Sequence, residues 1–527
     1  MASPYRGGGS RPDAGPVDDG IVGDLVRQFA DRFAFLRELV QNSIDAGSTQ
    51  IDVRVHVTED GLRIATRDDG EGMDPEVLEE KLLVLFRSGK EGQTGKIGKF
   101  GVGFISVLAV EPERVTVQTS RGEGPAWTLH LHRDHSYELF ESGRAQKAGT
   151  TVALEVPVPV DEHETFATSA HASLSKWCRH ASIPIRFTWP SGKTETINRP
   201  LALDDSVLEV RRVEGDTTVV VGLPPMPGET YAGFFNHGLT LYETQEPHSL
   251  GRHARLFAGR AFKVMAPGLE HTLSRDNVRR DAAFERALKL VARCIEEDLA
   301  DAFVKAVAAA ARDDLDRHLR LLSHWDATFP VAKASITVPL LHGEPRNHAQ
   351  LRGRATYASR ESPVTRALVD QGHDVVTNLS LHSRERLGLK LAEETVTLVE
   401  PLQSEGSDAL LLEALQDLLE AHRKPSAVQL ARFYGMHRGT YAGGPFESRP
   451  WLSFERLDSD PFRRLMRPAL LLDASDRVVM EARQRAVTEP LLAAAILARV
   501  ILTAHEAMDA RVDAALTVRS IDRVLSE

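Results

Sequence analysis

Apolar residues between positions 21 and 45 recur at helical spacing, and the period then changes. Ile51-Asp52-Val53-Arg54-Val55-His56-Val57 alternates strictly, which predicts a half-buried strand. Leu62-Arg63-Ile64 reads as its hairpin partner across the Glu59-Asp60-Gly61 turn. Residues 75–86 return to helical spacing. Short strands are expected at 115–117, 127–131 and 151–156, and a helix over 161–181. The first two hundred residues therefore read as α+β, with mostly antiparallel strands. Residues 207–221 are strand-rich, and 284–311 form a long helical segment. Val375-Val376-Thr377 belongs to a small α/β piece, and the chain from 404 onward reads as mainly helical.

Composition narrows the class. The chain has 527 residues, which suggests three or four domains. Hydrophobic content of 42% and charged content of 26% exclude wholesale disorder. A net charge of −11 argues against a mainly nucleic-acid-binding surface. Two cysteines, Cys178 and Cys294, give no basis for a disulfide scaffold or a cysteine zinc site. No apolar run reaches membrane-spanning length. Residues 1–19, rich in Gly, Pro and Asp with no apolar stretch, read as a disordered leader rather than a signal peptide, and a cytoplasmic protein is expected. The expected division is a leader at 1–19 and units at 20–200, 201–403 and 404–527.

Four segments carry chemistry. In Phe35-Leu36-Arg37-Glu38-Leu39-Val40-Gln41-Asn42-Ser43-Ile44-Asp45-Ala46, the residues Glu38, Asn42 and Asp45 share one helix face. Leu36, Val40 and Ile44 lie on the other side, available to a core. A carboxylate there can orient or deprotonate a water. The neighbouring carboxamide oxygen can take one position on Mg²⁺. Taken alone, a solvated polar helix face explains the pattern equally well. The second segment, Asp68-Asp69-Gly70-Glu71-Gly72-Met73, follows a strand. Its glycines admit close backbone approach to a flat ligand. Asp68 can accept a hydrogen bond from an exocyclic amine such as that of adenine. The third, Gly95-Lys96-Ile97-Gly98-Lys99-Phe100-Gly101-Val102-Gly103-Phe104, is a glycine-rich loop running into an apolar helix, and its free amides can gather around phosphates. It has no Gly-Lys-Ser/Thr of a Walker A loop and no strand leading into it as in a Rossmann turn. The fourth is Gly149-Thr150-Thr151 at a strand start, where a threonine hydroxyl can support Asp68 through a shared water.

In this order and spacing the four segments resemble the Bergerat-fold (GHKL) ATPases, the superfamily of gyrase, the ninety-kilodalton heat-shock chaperones, histidine kinases and MutL. The resemblance spans residues 21–156. It implies an N-terminal α/β sandwich with ATP and Mg²⁺ between helices and a mixed sheet, within an α+β multidomain chain. It implies Glu38 as general base, Asn42 as Mg²⁺ ligand and Asp68 as adenine reader. It further implies contacts to ATP from Asp45, Gly70, Gly72, Met73, Ser88, Gly89, Lys96, Gly98, Lys99, Phe100, Gly101, Val102, Gly103, Phe104 and Thr150, with 98–104 as the hinge of a phosphate-gripping lid.

Phe100-Gly101-Val102-Gly103-Phe104 followed by Ile105-Ser106 looks like the heat-shock chaperone branch, most like its bacterial form. The short link from Asn42-Ser43-Ile44-Asp45-Ala46-Gly47 to Ile51 is similar to MutL instead. Leu269-Glu270-His271-Thr272-Leu273-Ser274-Arg275-Asp276-Asn277 resembles the chaperone middle-domain segment whose arginine reaches the γ-phosphate, here Arg275, with Asp276 in place of Glu. Segments at 362–376 and 471–505 resemble the α/β middle domain and the mainly helical C-terminal dimerisation domain. The resemblance thus implies an ATP-driven chaperone cycle, unfolded or partly folded protein clients and a homodimer, with no membrane or nucleic-acid partner. The alternatives are a DNA-acting MutL-like ATPase, which requires a basic groove, and a nucleotide-binding scaffold, which would dispense with Glu38 or Arg275.

Overall fold

A computed structural model describes residues 31–82, 101–134, 136–145, 147–272, 277–420, 425–457, 462, 468–505 and 507–526. The chain divides into two compact units, residues 1–300 and 301–527. The leader, the first part of the expected opening helix, residues 83–86 and the segment 273–276 lie outside the described residues.

The first unit opens on helix α1 (Ala34–Asp45), whose Phe35, Leu36, Leu39 and Val40 are buried. Helix α2 (Gly101–Ile105) runs on as a tighter 3₁₀ turn over Ser106–Val110. An eight-stranded sheet follows from β1 (Ile51–Thr58), β2 (Gly61–Asp68), β3 (Arg114–Arg121), β4 (Gly124–His132), β5 (Tyr137–Ala145), β6 (Ala148–Val156), β7 (Ile185–Thr188) and β8 (Thr194–Thr196). The order across the sheet is β5-β4-β3-β6-β2-β1-β7-β8, and only the β1–β7 pairing is parallel. Val53 and Val55 of β1, Leu62 and Ile64 of β2, and Val115 and Val117 of β3 bury alternate side chains against α1, α2 and helix α3 (His163–Cys178). The expected β1–β2 hairpin forms, with Val55 opposite Ile64. Burying this face stabilises the unit by about 25 cal/mol per Å² of apolar surface removed from water. The expected helix at 75–86 is a short turn over Pro75–Val77, capped by Asp74, followed by a wider π turn over Leu78–Leu82.

A second sheet in this unit has the order β12-β11-β13-β10-β9, from β9 (Leu208–Glu214), β10 (Thr217–Leu223), β11 (Tyr231–Asn236), β12 (Leu239–Thr244) and β13 (Ala261–Met265). Helix α4 (Ala282–Arg293), N-capped by Asp281, covers it. The C-terminal end of α3 joins the two sheets. Arg179 lies 2.5 Å from Glu243 of β12, and the Tyr231 hydroxyl donates to the same carboxylate at 2.5 Å. Gly238 has φ +79°, and a Cβ there would lie 1.8 Å from the His180 carbonyl oxygen, so the backbones touch. His180 Nδ1 lies 3.0 Å from the Arg199 carbonyl and Nε2 3.2 Å from Lys263 Nζ. That pattern fits the neutral tautomer with its proton on Nδ1. Burial brings the His180 pKa down to about 4, against the weaker upward pull of the Arg199 carbonyl. Cys178 and Cys294 are both buried, free thiols pushed up to about 12 by burial, and so inert.

In the second unit, helices α5 (Ala300–Asp313) and α6 (Leu315–Ser323) lead to two small pairs of strands. β14 (Thr337–Val338) pairs with β15 (Arg346–Asn347), and β16 (Thr356–Tyr357) runs parallel to β17 (Val375–Val376), with helix α7 (Pro363–Asp370) as the crossover. A five-stranded sheet, order β20-β22-β19-β18-β21, combines β18 (Thr397–Pro401), β19 (Val428–Gly435), β20 (Tyr441–Gly444), β21 (Trp451–Ser453) and β22 (Ala469–Asp473). The residues after 403 therefore carry strands as well as helices, and the division drawn at 403/404 falls inside this sheet. β18, before that position, hydrogen-bonds to β19, after it. The polar Gln403-Ser404-Glu405-Gly406 stretch has the composition of a linker, but it connects one sheet to its own covering helix.

That helix, α8 (Ser407–Glu420), packs with α9 (Arg477–Arg485), α10 (Pro490–Ala504) and α11 (Ala510–Ser526). The apolar residues of α10 do not form one face. Leu491, Leu497 and Ile501 join Ala493, Ala494 and Ala498 in the core, whereas Leu492 and Ile496 are exposed. Val518, Ile521 and Leu525 of α11 are exposed too. Among the described residues, no helix is long and apolar enough to cross a membrane.

Candidate functional site

The C-terminal half of α1, the end of β2 and the start of β6 meet at Asp68. Its Oδ2 lies 3.0 Å from Ser43 Oγ, which is also 2.9 Å from the Leu39 carbonyl one turn earlier. Its Oδ1 accepts the backbone N–H of Gly70 at 2.9 Å and of Thr150 at 3.3 Å. The carboxylate is thus held on two sides, at the wall of a cavity of about 320 Å³. The Thr150 hydroxyl faces elsewhere than expected. It lies 3.0 Å from Thr119 Oγ1, and it is the main-chain N–H of Thr150 that contacts Asp68. Thr119 Oγ1 also accepts the N–H of Met73 at 2.9 Å, fixing the segment after Asp68 against β3.

Two glycines pack main chain against main chain beside this cavity, and Gly72 lines it. Gly72 has φ +67°, and a Cβ there would lie 1.9 Å from the Ser120 carbonyl oxygen. Gly149 has φ +139°, and its Cβ would come within 2.4 Å of the Asp68 carbonyl oxygen. Both positions combine a backbone conformation that suits glycine with direct main-chain contact. Gly70 sits on Ala46 at the end of α1, and the Glu71 N–H donates to the Ala46 carbonyl at 3.0 Å.

Asp69 points the other way and does structural work. It accepts the Thr49 N–H at 2.7 Å, the Thr49 hydroxyl at 2.5 Å and the Gln50 N–H at 3.0 Å, closing the turn between α1 and β1. Its pKa lies below the ordinary carboxylate range. Slight burial pushes it up, but the Thr49 hydroxyl and the two amides together outweigh that.

The cavity brings together many of the residues singled out in the sequence. Asn42, Asp45, Asp68, Gly72, Met73, Phe104 and Thr150 line it. Asn42 is exposed, so its carboxamide oxygen is a hard donor open to a cation. Asp45 accepts from Gln41 Nε2 at 2.9 Å. Gly101 and Val102 form the first turn of α2, and the Gly103 carbonyl accepts the Ser106 hydroxyl at 2.5 Å. Glu38 lies one turn before Asn42 but is buried, with Oε1 3.3 Å from Arg37. Arg37 in turn sits 4.8 Å over the Trp177 ring. Ser88, Gly89, Lys96, Gly98, Lys99, Phe100 and Arg275 lie outside the described residues.

Sequence reasoning did not single out Ser43, Thr66 or Thr119. Ser43 follows Asn42 and was legible only as the residue four after Leu39 on the buried side of α1. Thr66 and Thr119 enter through strand register, since β2 and β3 both pair with β6.

Residues 33–155 match the family described as histidine kinase-, DNA gyrase B-, and HSP90-like ATPase. The chain is 33% identical over 207 residues to the chaperone protein HtpG of Methylorubrum populi, a match covering 33% of each chain. It is 28% identical over 219 residues to the chaperone protein HtpG of Roseobacter denitrificans, covering 36% of this chain and 34% of that one. The chaperone protein HtpG of Gluconobacter oxydans is 29% identical over 199 residues. The match thus spans about a third of the length of these curated relatives.

Proposed function

We propose, from the premise that residues 33–155 are an ATPase domain of the gyrase, histidine-kinase and heat-shock superfamily, that the chain is an ATP-dependent molecular chaperone of the HtpG kind. One observation carries the nucleotide reading. The Asp68 carboxylate is fixed at a cavity wall by Ser43, Gly70 and Thr150, with Asn42 and Asp45 along the adjoining helix face. A fixed carboxylate selects a base that offers an amine and repels one that offers a carbonyl oxygen. Adenine fits that demand. The likeness to the chaperone protein HtpG of three bacteria supports the chaperone role.

In this reading Asp68 accepts from the adenine amine, and Asn42 gives its amide oxygen to Mg²⁺. The ion's contribution is to neutralise charge on the phosphates. Glu38 orients and deprotonates the attacking water. The glycine-rich segment 95–104 donates backbone amides to the phosphates, with Lys96 and Lys99 adding charge. Arg275 reaches the γ-phosphate when its domain docks on the ATP-binding domain, stabilising charge that grows in the transition state. The proposed division is a leader (1–19), the ATPase domain (20–200), a middle domain that begins at 201 and carries Arg275, and a C-terminal dimerisation domain whose start lies before the sheet that joins 397–401 to 428–435. Unfolded or partly folded proteins are the clients and the cytoplasm the site of action. A homodimer forms through the exposed apolar residues of α10 and α11.

The deciding experiment is steady-state phosphate release by full-length wild type and Glu38→Ala under saturating Mg·ATP, with and without a denatured model client. Wild type should turn over, and Glu38→Ala should bind ATP but lose about 10²–10⁴-fold in rate. Turnover in Glu38→Ala within tenfold of wild type would remove the general-base assignment. A client that neither changes turnover nor is kept from aggregating would remove the chaperone reading and leave the ATPase.

A further inference from the structure

Thr66 is the residue of the cavity that its surroundings explain least. It lies on β2 two positions before Asp68, so both side chains project from the same face of the strand. Leu62 and Ile64, the preceding residues of that face, are fully packed apolar side chains in the core. On the neighbouring strands Thr66 stands opposite Val53 and Val152, two more apolar residues. The pattern calls for valine or isoleucine. Thr66 is instead a hydroxyl that is 3% exposed, lines the cavity, and has no hydrogen-bond partner for Oγ1 among the described residues. Leaving such a group unpaired costs on the order of 1–3 kcal/mol, which a valine of nearly the same shape would avoid.

We infer that the Thr66 hydroxyl is a second base-reading group of this site, which donates its proton to a purine ring nitrogen beside the amine that Asp68 accepts. The inference rests on the proposed nucleotide reading. An amine next to a ring nitrogen offers a donor and an acceptor side by side. Asp68 supplies only acceptors, and Thr66, one step along the same strand face, supplies the complementary donor. The two side chains read opposite polarities from one rigid strand, so a base with its donor and acceptor exchanged loses both contacts. The hydroxyl leaves its unpaired state when the base arrives. Its desolvation cost is already present in the empty protein and is returned on binding.

The test is calorimetric binding of ATP and ADP to full-length wild type, Thr66→Val, Thr66→Ser and Asp68→Asn, with thermal melting of each protein without nucleotide. Thr66→Val should melt at or above the wild-type temperature, because an unpaired buried hydroxyl is gone. Its affinity for ATP and ADP should nevertheless fall about tenfold, the loss of one hydrogen bond to the ligand. Thr66→Ser keeps the hydroxyl and should bind within about threefold of wild type, although it loses a methyl group. Thr66→Val binding as tightly as wild type overturns the inference. So does Thr66→Ser losing as much affinity as Thr66→Val, since the methyl would then be the determinant. Asp68→Asn separates the two levels. If it binds ATP normally, the nucleotide reading itself fails. If it loses ATP while Thr66→Val does not, only the role of Thr66 fails.

Discussion

Asp68→Asn is the most informative single substitution, because the structure says what it should leave intact. The new amide keeps an oxygen for the Gly70 and Thr150 N–H groups, now 2.9 and 3.3 Å from Oδ1. Its NH₂ then faces Ser43 Oγ, where Oδ2 stands at 3.0 Å. Ser43 can accept that bond, because its own proton has a second acceptor in the Leu39 carbonyl at 2.9 Å. Every local hydrogen bond has a replacement, so folding stability should change by less than about 1 kcal/mol. The ligand has no such replacement. A hydrogen bond to a charged acceptor is worth about 1.5–3 kcal/mol, and the NH₂ now meets the adenine amine donor to donor. Affinity for ATP should fall roughly 100-fold, the equivalent of about 2.7 kcal/mol. Titration calorimetry with ADP and ATP gives the affinity, and a melting curve on the same samples gives the stability. A variant that melts normally and binds within threefold of wild type would falsify the assignment of Asp68 as base reader. One that fails to fold would show that the local rearrangement at Ser43 does not occur.

Three further outcomes are expected. His180, brought down to about 4 from 6.5, is neutral in the folded chain and takes up its proton first when unfolded. Its contribution is complete above pH 6.5 and is lost as pH falls toward 4, up to roughly 3 kcal/mol for that shift. Melting curves should therefore drop over that window, and His180→Gln should flatten the drop; an unchanged pH profile in the variant would assign the acid sensitivity elsewhere. Glutamates at the exposed Leu492 and Ile496 should convert the proposed dimer to monomer in light scattering without ATP, while a dimer that survives both substitutions would place the contact on another surface. Arg275→Ala should keep ATP binding while phosphate release falls by about 10³-fold, the scale reported for such arginines in phosphoryl transfer; Arg275→Lys should restore only part, since a point charge lacks the guanidinium fork. Undiminished release in Arg275→Ala would mean that hydrolysis does not wait for domain docking.

The β1–β2 hairpin was legible because half-burial writes an alternating pattern into the chain. β5 was not, since it lies at the sheet edge with most of its side chains exposed and its alternation stops after Leu139. The helix face of Glu38, Asn42 and Asp45 follows from spacing, but spacing does not reveal that Glu38 is buried beside Arg37 while Asn42 stays exposed. That difference is made by α3, whose Trp177 covers Arg37 from more than a hundred residues away. Asp68 was found from its glycines, whereas Thr66 and Thr119 needed the pairing of β2 and β3 with β6, a long-range fact that no local pattern contains. On α10 the large apolar residues are divided, with Leu491, Leu497 and Ile501 buried and Leu492 and Ile496 exposed. The alanines 493, 494 and 498 carry much of the buried side, and small side chains are faint in any reading that follows leucine and isoleucine.

The contacts at Gly72 and Gly149 have a bearing on how the pocket could be targeted and how it could change. There the wall is main chain against main chain, with no side chain in between. Random mutation cannot widen such a wall, because no side chain can be trimmed, and any residue larger than glycine collides with a carbonyl oxygen. An inhibitor built to rest on the Gly72 part of that surface would face little escape by substitution there. Resistance would arise instead where side chains line the cavity, and at Asn42, Ser43, Thr66 and Thr150 such changes also touch the groups proposed to hold the natural ligand or their neighbours.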